Sequence, residues 1–280
     1  MKLYKKGNTI LIDHAGLQYS TNRNWDELTN RTNLYEKLLA ELTSFTRISE
    51  IDLQQSFDPP MQSQEIWAAG VTYFRSMEAR MEESKEAGGG SFYDKVYQAD
   101  RPEIFFKSLA QRTVGHKGKI RIRRDSTWNV PEPELTLFLS SSGSIEGFTI
   151  GNDVSSRSIE GVNPLYLPQA KTYQFSASLG PCLLVRELPL PAETGIHLQI
   201  LRQKSNVFQQ SVTISRMKRK HEELAAWLFR ETLFPFGTYL MTGTGIIPPD
   251  EFTLQPGDEV IIRIDAIGEL SNITSQKPLA

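Results

Sequence analysis

Cysteine is all but missing: the 280 residues contain one, Cys182. A single thiol excludes an intramolecular disulfide framework and any thiolate-rich zinc site, and it fits a reducing compartment. Long apolar runs are missing too. No segment approaches the roughly 20 apolar residues that a membrane-spanning helix needs. The apolar part of the N-terminal stretch is short and broken by Asp13, which argues against a secretory signal. Charge of one sign is not in excess, since 31 Lys and Arg face 33 Asp and Glu. No overall basic field therefore exists to hold nucleic acid or an anionic membrane. There is no repeat at solenoid or propeller period, no G-x-G-x-x-G after a strand, no H-E-x-x-H and no G-x-S-x-G elbow. His221-Glu222 lacks a second histidine, and His14, His116 and His197 have no partner at a useful spacing. The expectation from these absences is a cytoplasmic protein that binds neither nucleic acid nor membrane.

What is present is ordinary globular composition, 39% hydrophobic and 23% charged, in a chain long enough to bury a large core. Residues 1–60 read as a small leading α+β domain, with strands near residues 2–5 and 9–12 and a helix over 33–43 carrying Leu34, Leu38, Leu39 and Leu42. Phe57-Asp58-Pro59-Pro60 breaks the pattern and marks a boundary. A strand over 65–71 leads into a charged helix over 74–87, which Gly88-Gly89-Gly90 ends. That combination fits a lid over about residues 73–100 as well as it fits an exposed surface helix. From residue 103 short strands dominate, such as Leu135–Leu139 and Val260–Ile264, with one further helix expected over 215–231. The Met217–His221 run reads as that helix's solvated face. The fold class is α+β, mainly β, with a second domain over 61–280.

The sharpest chemical feature is Val130-Pro131-Glu132-Pro133-Glu134-Leu135. In a strand, residues i and i+2 share a face at a spacing of roughly 6.6 Å. Glu132 and Glu134 then point together, and the flanking prolines hold the segment extended. Two such carboxylates are either an exposed acidic edge or a site for a hard cation, Mg²⁺, Mn²⁺ or Ca²⁺, rather than zinc. Asp153 ends the apolar run Phe148-Thr149-Ile150 and is well placed to complete an oxygen site. Lys171 is a surface lysine or, near a metal, a proton-transfer group. Thr242-Gly243-Thr244-Gly245 is a tight turn whose amides and hydroxyls suit a carboxylate.

Taken in order, Glu132-x-Glu134, Gly151-Asn152-Asp153-Val154-Ser155-Ser156-Arg157, Lys171, Leu179-Gly180-Pro181, Thr242–Gly245, Pro256-Gly257-Asp258 and Ile267-Gly268-x-Leu270-x-Asn272 resemble the fumarylacetoacetate hydrolase family over about residues 65–275. The resemblance implies a mixed β-roll catalytic domain, a homodimer or homotetramer, and a small-molecule 2-oxo acid substrate. It implies a divalent metal, Mg²⁺ in the first place, on Glu132, Glu134 and Asp153, with Lys171 catalytic and Thr244 touching substrate. C–C hydrolases of the family carry a lid histidine that activates water; Met77 stands where it would align, and Arg80 stands three residues later. Gly70-Val71-Thr72-Tyr73-x-x-Ser76 and Thr242-Gly243-Thr244-Gly245-Ile246-Ile247-Pro248-Pro249 are similar instead to the 2-keto-3-deoxy-D-arabinonate dehydratase branch. That branch implies dehydration of a 2-keto-3-deoxy sugar acid to 2,5-dioxopentanoate. Glu103, and the lid carboxylates Glu78 or Glu82, are acid/base candidates; Tyr73, Arg75 and Ser76 are candidates to reach substrate. The rival expectations are a C–C hydrolase of acylpyruvate type, a 2-oxo acid isomerase or decarboxylase, and a metal-binding scaffold without catalysis.

Overall fold

A computed structural model describes residues 1–77 and 90–277. Glu78, Arg80, Glu82 and most of the expected lid helix lie outside the described residues.

The architecture is mostly strand, as the mainly β reading requires. Strands β1 (Lys2–Lys6), β2 (Thr9–His14), β3 (Leu17–Thr21) and β4 (Thr46–Ile48) form an antiparallel meander. It joins a large sheet through β13 (Ala177–Leu184), which pairs with β1 and then β11 (Ile145–Asp153). The sheet continues through β10 (Pro133–Leu139), β16 (Thr238–Met241), β5 (Glu65–Gly70) and β6 (Glu103–Leu109). Just past β6, the short strand β7 (Thr113–Val114) runs parallel to β13, so the far edge of the sheet returns to its middle. The sheet is thus rolled rather than flat. A second sheet, in the order β15 (Ser205–Thr213), β14 (Gly195–Arg202), β17 (Glu259–Ile264), β18 (Gly268–Gln276) and β8 (Lys119–Ile122), packs against it, and β9 (Asn129–Val130) pairs with β12 (Ser155–Ser156) in a two-stranded ribbon.

Alternation along the strands decides which residues fill which space. Leu135, Leu137 and Leu139 of β10 join Ile196, Leu198 and Ile262 of the second sheet in one buried cluster. Phe138, on the other face, packs with Trp25, Leu28, Leu34 and Leu38 of the N-terminal region in another. Every residue of β10 is buried. Glu134 and Thr136 share parity with Phe138, so the sheet's polar end and apolar end lie on one face.

The helix expected over 33–43 is present as Leu34–Glu41 with a 3₁₀ turn, Leu42–Ser44. The one expected over 215–231 is shorter. Only His221–Leu228 is α-helical. Ahead of it the chain is drawn out to pair with the segment after β5: Tyr73 and Met217 form a β-bridge, and Lys218 N–H donates to the Thr72 carbonyl. Arg219 is buried and not on a solvated face, because its guanidinium caps the carbonyl ends of the helix Gly90–Gln98, at Val96 and, just beyond, Ala99 and Asp100. Among the described residues no helix is long and apolar enough to cross a membrane.

Candidate active site

The site forms where β10 and β11 end side by side. Glu134 is the cross-strand partner of Gly151, and two residues further along Asp153 N–H donates to the Glu132 carbonyl at 3.0 Å. This register sets Glu132, Glu134 and Asp153 on one face of the sheet. One ligand atom from each lies within 4.8 Å of the others, and all three residues are buried.

Three cations face them. Lys171 ends the short helix Leu167–Lys171, and its amine donates to Glu132 Oε2 at 2.6 Å and Asp153 Oδ2 at 3.1 Å. Arg157 begins the helix Arg157–Val162 and donates to Glu132 Oε1 at 2.7 Å. Lys107 of β6 lies 2.5 Å from Asp153 Oδ1. Buried charge persists only when paired, and here the three basic groups pair with Glu132 and Asp153.

The balance is uneven in space. Glu134 accepts the Gly243 N–H at 2.5 Å but has none of the three cations as a direct partner. Burial, then the charges of Asp153 and Glu132, push its carboxyl well above the usual carboxylate range. Burial acts upward on Asp153 as well, but Lys107 and Lys171 outweigh it and hold that carboxyl low. Burial draws Lys107 below the ordinary lysine value against the pull of Asp153. A carboxyl driven to keep a proton beside two other carboxylates is a place where a cation fits. The donor set, oxygen only, suits a hard divalent ion.

Gly243 is required here. Its φ of +95° disfavours side chains, and an added Cβ would run into the Thr72 hydroxyl, which itself donates to the Thr242 carbonyl at 2.7 Å. The turn read from Thr242–Gly245 thus brings a backbone amide to Glu134.

The remaining expected residues divide. Ser76 and Thr244 line the same small cavity as the carboxylates and Lys171, together with Gly70 and Phe105. Glu103 pairs with Gly70 across β5–β6 and lays its carboxylate against the Gly70 Cα. Its Oε2 is buried and, among the described residues, accepts no hydrogen bond. Tyr73 is buried, with its phenol raised above its ordinary value by burial and by the charge of Glu134. Together with Arg75, however, it lines a separate cleft beside Arg216, Ser211 and Gly245. Met77 packs with Val71, Val96 and Tyr97 in an apolar cluster, so no imidazole stands at that position to activate water. Sequence reasoning singled out neither Lys107 nor the pairing role of Arg157. Lys107 follows an apolar run, Ile104-Phe105-Phe106, and a lysine continuing such a strand is its only sequence signal.

A family model for the fumarylacetoacetate (FAA) hydrolase C-terminal domain matches residues 66–274. The chain belongs to this family. It is 44% identical over 239 residues to a "Probable 2-keto-3-deoxyxylonate dehydratase" of Haloferax volcanii, covering 85% of this chain and 81% of that one. It is 42% identical over 231 residues to a 2-dehydro-3-deoxy-D-arabinonate dehydratase of Saccharolobus solfataricus, covering 82% and 76%. Among solved structures it matches "2-keto-3-deoxy-D-arabinonate dehydratase complexed with magnesium and 2,5-dioxopentanoate" with a TM-score of 0.85, 33% identity and full coverage of both chains.

Proposed function

We propose that this protein is a Mg²⁺-dependent dehydratase that converts a 2-keto-3-deoxy pentonate, the arabinonate or the xylonate form, to 2,5-dioxopentanoate. The observation that carries the reading is the buried Glu132, Glu134 and Asp153 cluster against Lys171, in a chain similar to such dehydratases over most of its sequence and, for the solved structure, over its whole fold.

Glu132, Glu134 and Asp153 would hold the ion. When bound, it supplies positive charge that orients the substrate's carboxylate and keto oxygens and acidifies the C3 protons. The reaction loses a proton from C3 and the hydroxyl from C4, which leave together as water. The C3–C4 alkene then takes a proton at C3 and loses one from C5, giving an enol that becomes the aldehyde. Lys171 moves the C3 proton: two N–H groups hold Glu132 and Asp153, and the third position on Nζ serves the substrate, as the lone pair of the neutral amine when it takes the C3 proton and as an N–H when it returns one to C3. Glu103 acts at the C4 hydroxyl through Oε2, which accepts no hydrogen bond among the described residues. Ser76 and Thr244 orient the substrate from the cavity wall. Residues 73–100 act as a lid in this reading, and residues 1–60 as a leading domain whose strands extend the large sheet. A homodimer or homotetramer belongs to it as well, supported by Val162, Leu165 and Tyr166, which are exposed on the segment between Arg157 and Lys171; sedimentation reads this directly.

The test is product analysis by NMR in ¹⁸O-labelled water with each sugar acid, with and without EDTA. Metal-dependent 2,5-dioxopentanoate is expected. No product from either acid, together with label entering a carboxylate from an acylpyruvate, would replace the dehydratase by a hydrolase.

A further inference from the structure

We propose that Lys107 is a positioning residue for this reaction, clamping Asp153 and the main chain of Lys171 into one unit. The inference rests on the metal-dependent dehydratase reading above.

The geometry is specific. Lys107 is fully buried. Its ammonium meets three oxygens: Asp153 Oδ1 at 2.5 Å, the Lys171 carbonyl at 2.5 Å and the Val154 carbonyl at 3.1 Å. The two carbonyls take hydrogen bonds, and the Asp153 contact is an ion pair. Lys171 lines the cavity that holds the carboxylates and Lys107 does not, which separates the two lysines. The division of labour follows from this placement: one is enclosed and fixed behind the site, the other borders the cavity with a donor in reserve.

Each contact constrains something the reaction needs. The Asp153 contact holds one carboxylate oxygen while Lys171 holds the other, so the side chain cannot rotate away from Glu132 and Glu134. The Lys171 carbonyl is one of the unsatisfied groups at a helix C-terminus, and an ammonium there is favourable in both hydrogen bonding and dipole. The Ser176 hydroxyl donates to the same carbonyl at 2.8 Å. Lys107 therefore fixes the backbone from which the Lys171 side chain springs. It also removes one negative charge from the cluster. Arginine, with a planar fork, does not match three convergent acceptors.

The experiment compares wild type with Lys107→Met and Lys107→Gln by three measurements: thermal melting, the EPR signal of bound Mn²⁺, and steady-state kinetics. Both variants are expected to bind Mn²⁺ at least as tightly as wild type, since a neighbouring positive charge is gone. The bound-Mn²⁺ line shape should change, and kcat should fall about 10–100-fold with KM little altered. Melting-point loss alone, with kcat and line shape as in wild type, would make the lysine merely structural and overturn the proposal. So would failure of both variants to fold. If wild type binds Mn²⁺ but forms no dioxopentanoate, the dehydratase reading fails, and the line shape still decides the clamp. If wild type binds no Mn²⁺, the metal site and the clamp fall together.

Discussion

Lys171 and Glu132, 39 residues apart in the chain, meet through a 2.6 Å hydrogen bond from the lysine amine to Oε2. The same amine reaches Asp153, so one cation separates two carboxylates that would otherwise repel. In the proposed reaction this relationship would link stability to catalysis, and it can be broken selectively.

Lys171→Met should reduce turnover about 10²–10⁴-fold. Without metal it should also lower stability by about 3–5 kcal/mol, the usual cost of removing one partner from a buried ion pair. Mg²⁺ should recover part of that loss, because it returns positive charge to the same carboxylates. Thermal melts with and without Mg²⁺ would show it; an equal deficit in both would detach Lys171 from the metal site.

Glu132→Gln should fold and yet lose turnover. Wild type should gain about 2.7 kcal/mol of stability when free Mg²⁺ is 100 times its dissociation constant. EDTA should remove the gain. The variant should show little of it at the same Mg²⁺ concentration, and an undiminished gain would take Glu132 out of the ligand set.

Glu103 can be tested in two independent ways. Glu103→Gln should cut kcat about 10²–10⁴-fold while Mn²⁺ affinity stays near wild type, since Glu103 is not in the carboxylate cluster. Gly70→Ala should reproduce the defect from the neighbouring strand, because the new methyl group takes the place of the Glu103 carboxylate end. That end belongs to a flexible side chain, so the cost in stability should be small. Normal kcat in the Gly70→Ala variant would show that the position of Glu103 does not matter.

His116 supplies a pH dependence away from the site. Its Nδ1 accepts the Ser271 N–H at 3.2 Å, which only the neutral ring can do. Burial and then Lys117 lower its pKa. In the unfolded chain it takes a proton near about pH 6.5, so the unfolded state binds more protons as the pH falls through that value. Stability is then full above the unfolded value and is lost as the pH drops toward the folded one. His221, also lowered by burial, acts in the same direction. Chemical denaturation from pH 7.5 to 5.5 should show the decline, and His116→Gln should remove part of it.

The carboxylates were legible because a strand's two-residue period needs no tertiary information. Glu132 and Glu134 share a face in the structure as the spacing requires, and Asp153 ends a strand beside them. Their burial and their proximity were not legible from spacing alone; the ordered set of motifs carried that. Lys107 escaped because its significance lies in a roll that brings β6 back toward β13, and nothing local records it. The helix expected over 215–231 failed for a similar reason. Residues 217–218 have helical neighbours in sequence but a strand-like partner in space, at Thr72 and Tyr73. Spacing along the chain does not say which of two clefts a turn faces: Ser76 lines the carboxylate cavity, and Tyr73 and Arg75 line the cleft beside Arg216.

The rolled sheet also orders events during synthesis. Strand β16 lies between β10 and β5, so the large sheet is continuous from β10 to β5 and β6 only once residues 238–241 pair with both neighbours. Until then the far edge is tied in only through β7 on β13, and Glu134 lacks its backbone donor, Gly243. Contacts of such sequence separation form late in folding. A ribosome-bound chain that has already exposed all three carboxylates therefore still lacks the assembled centre, and acquires it only when the segment through Gly243 emerges and inserts.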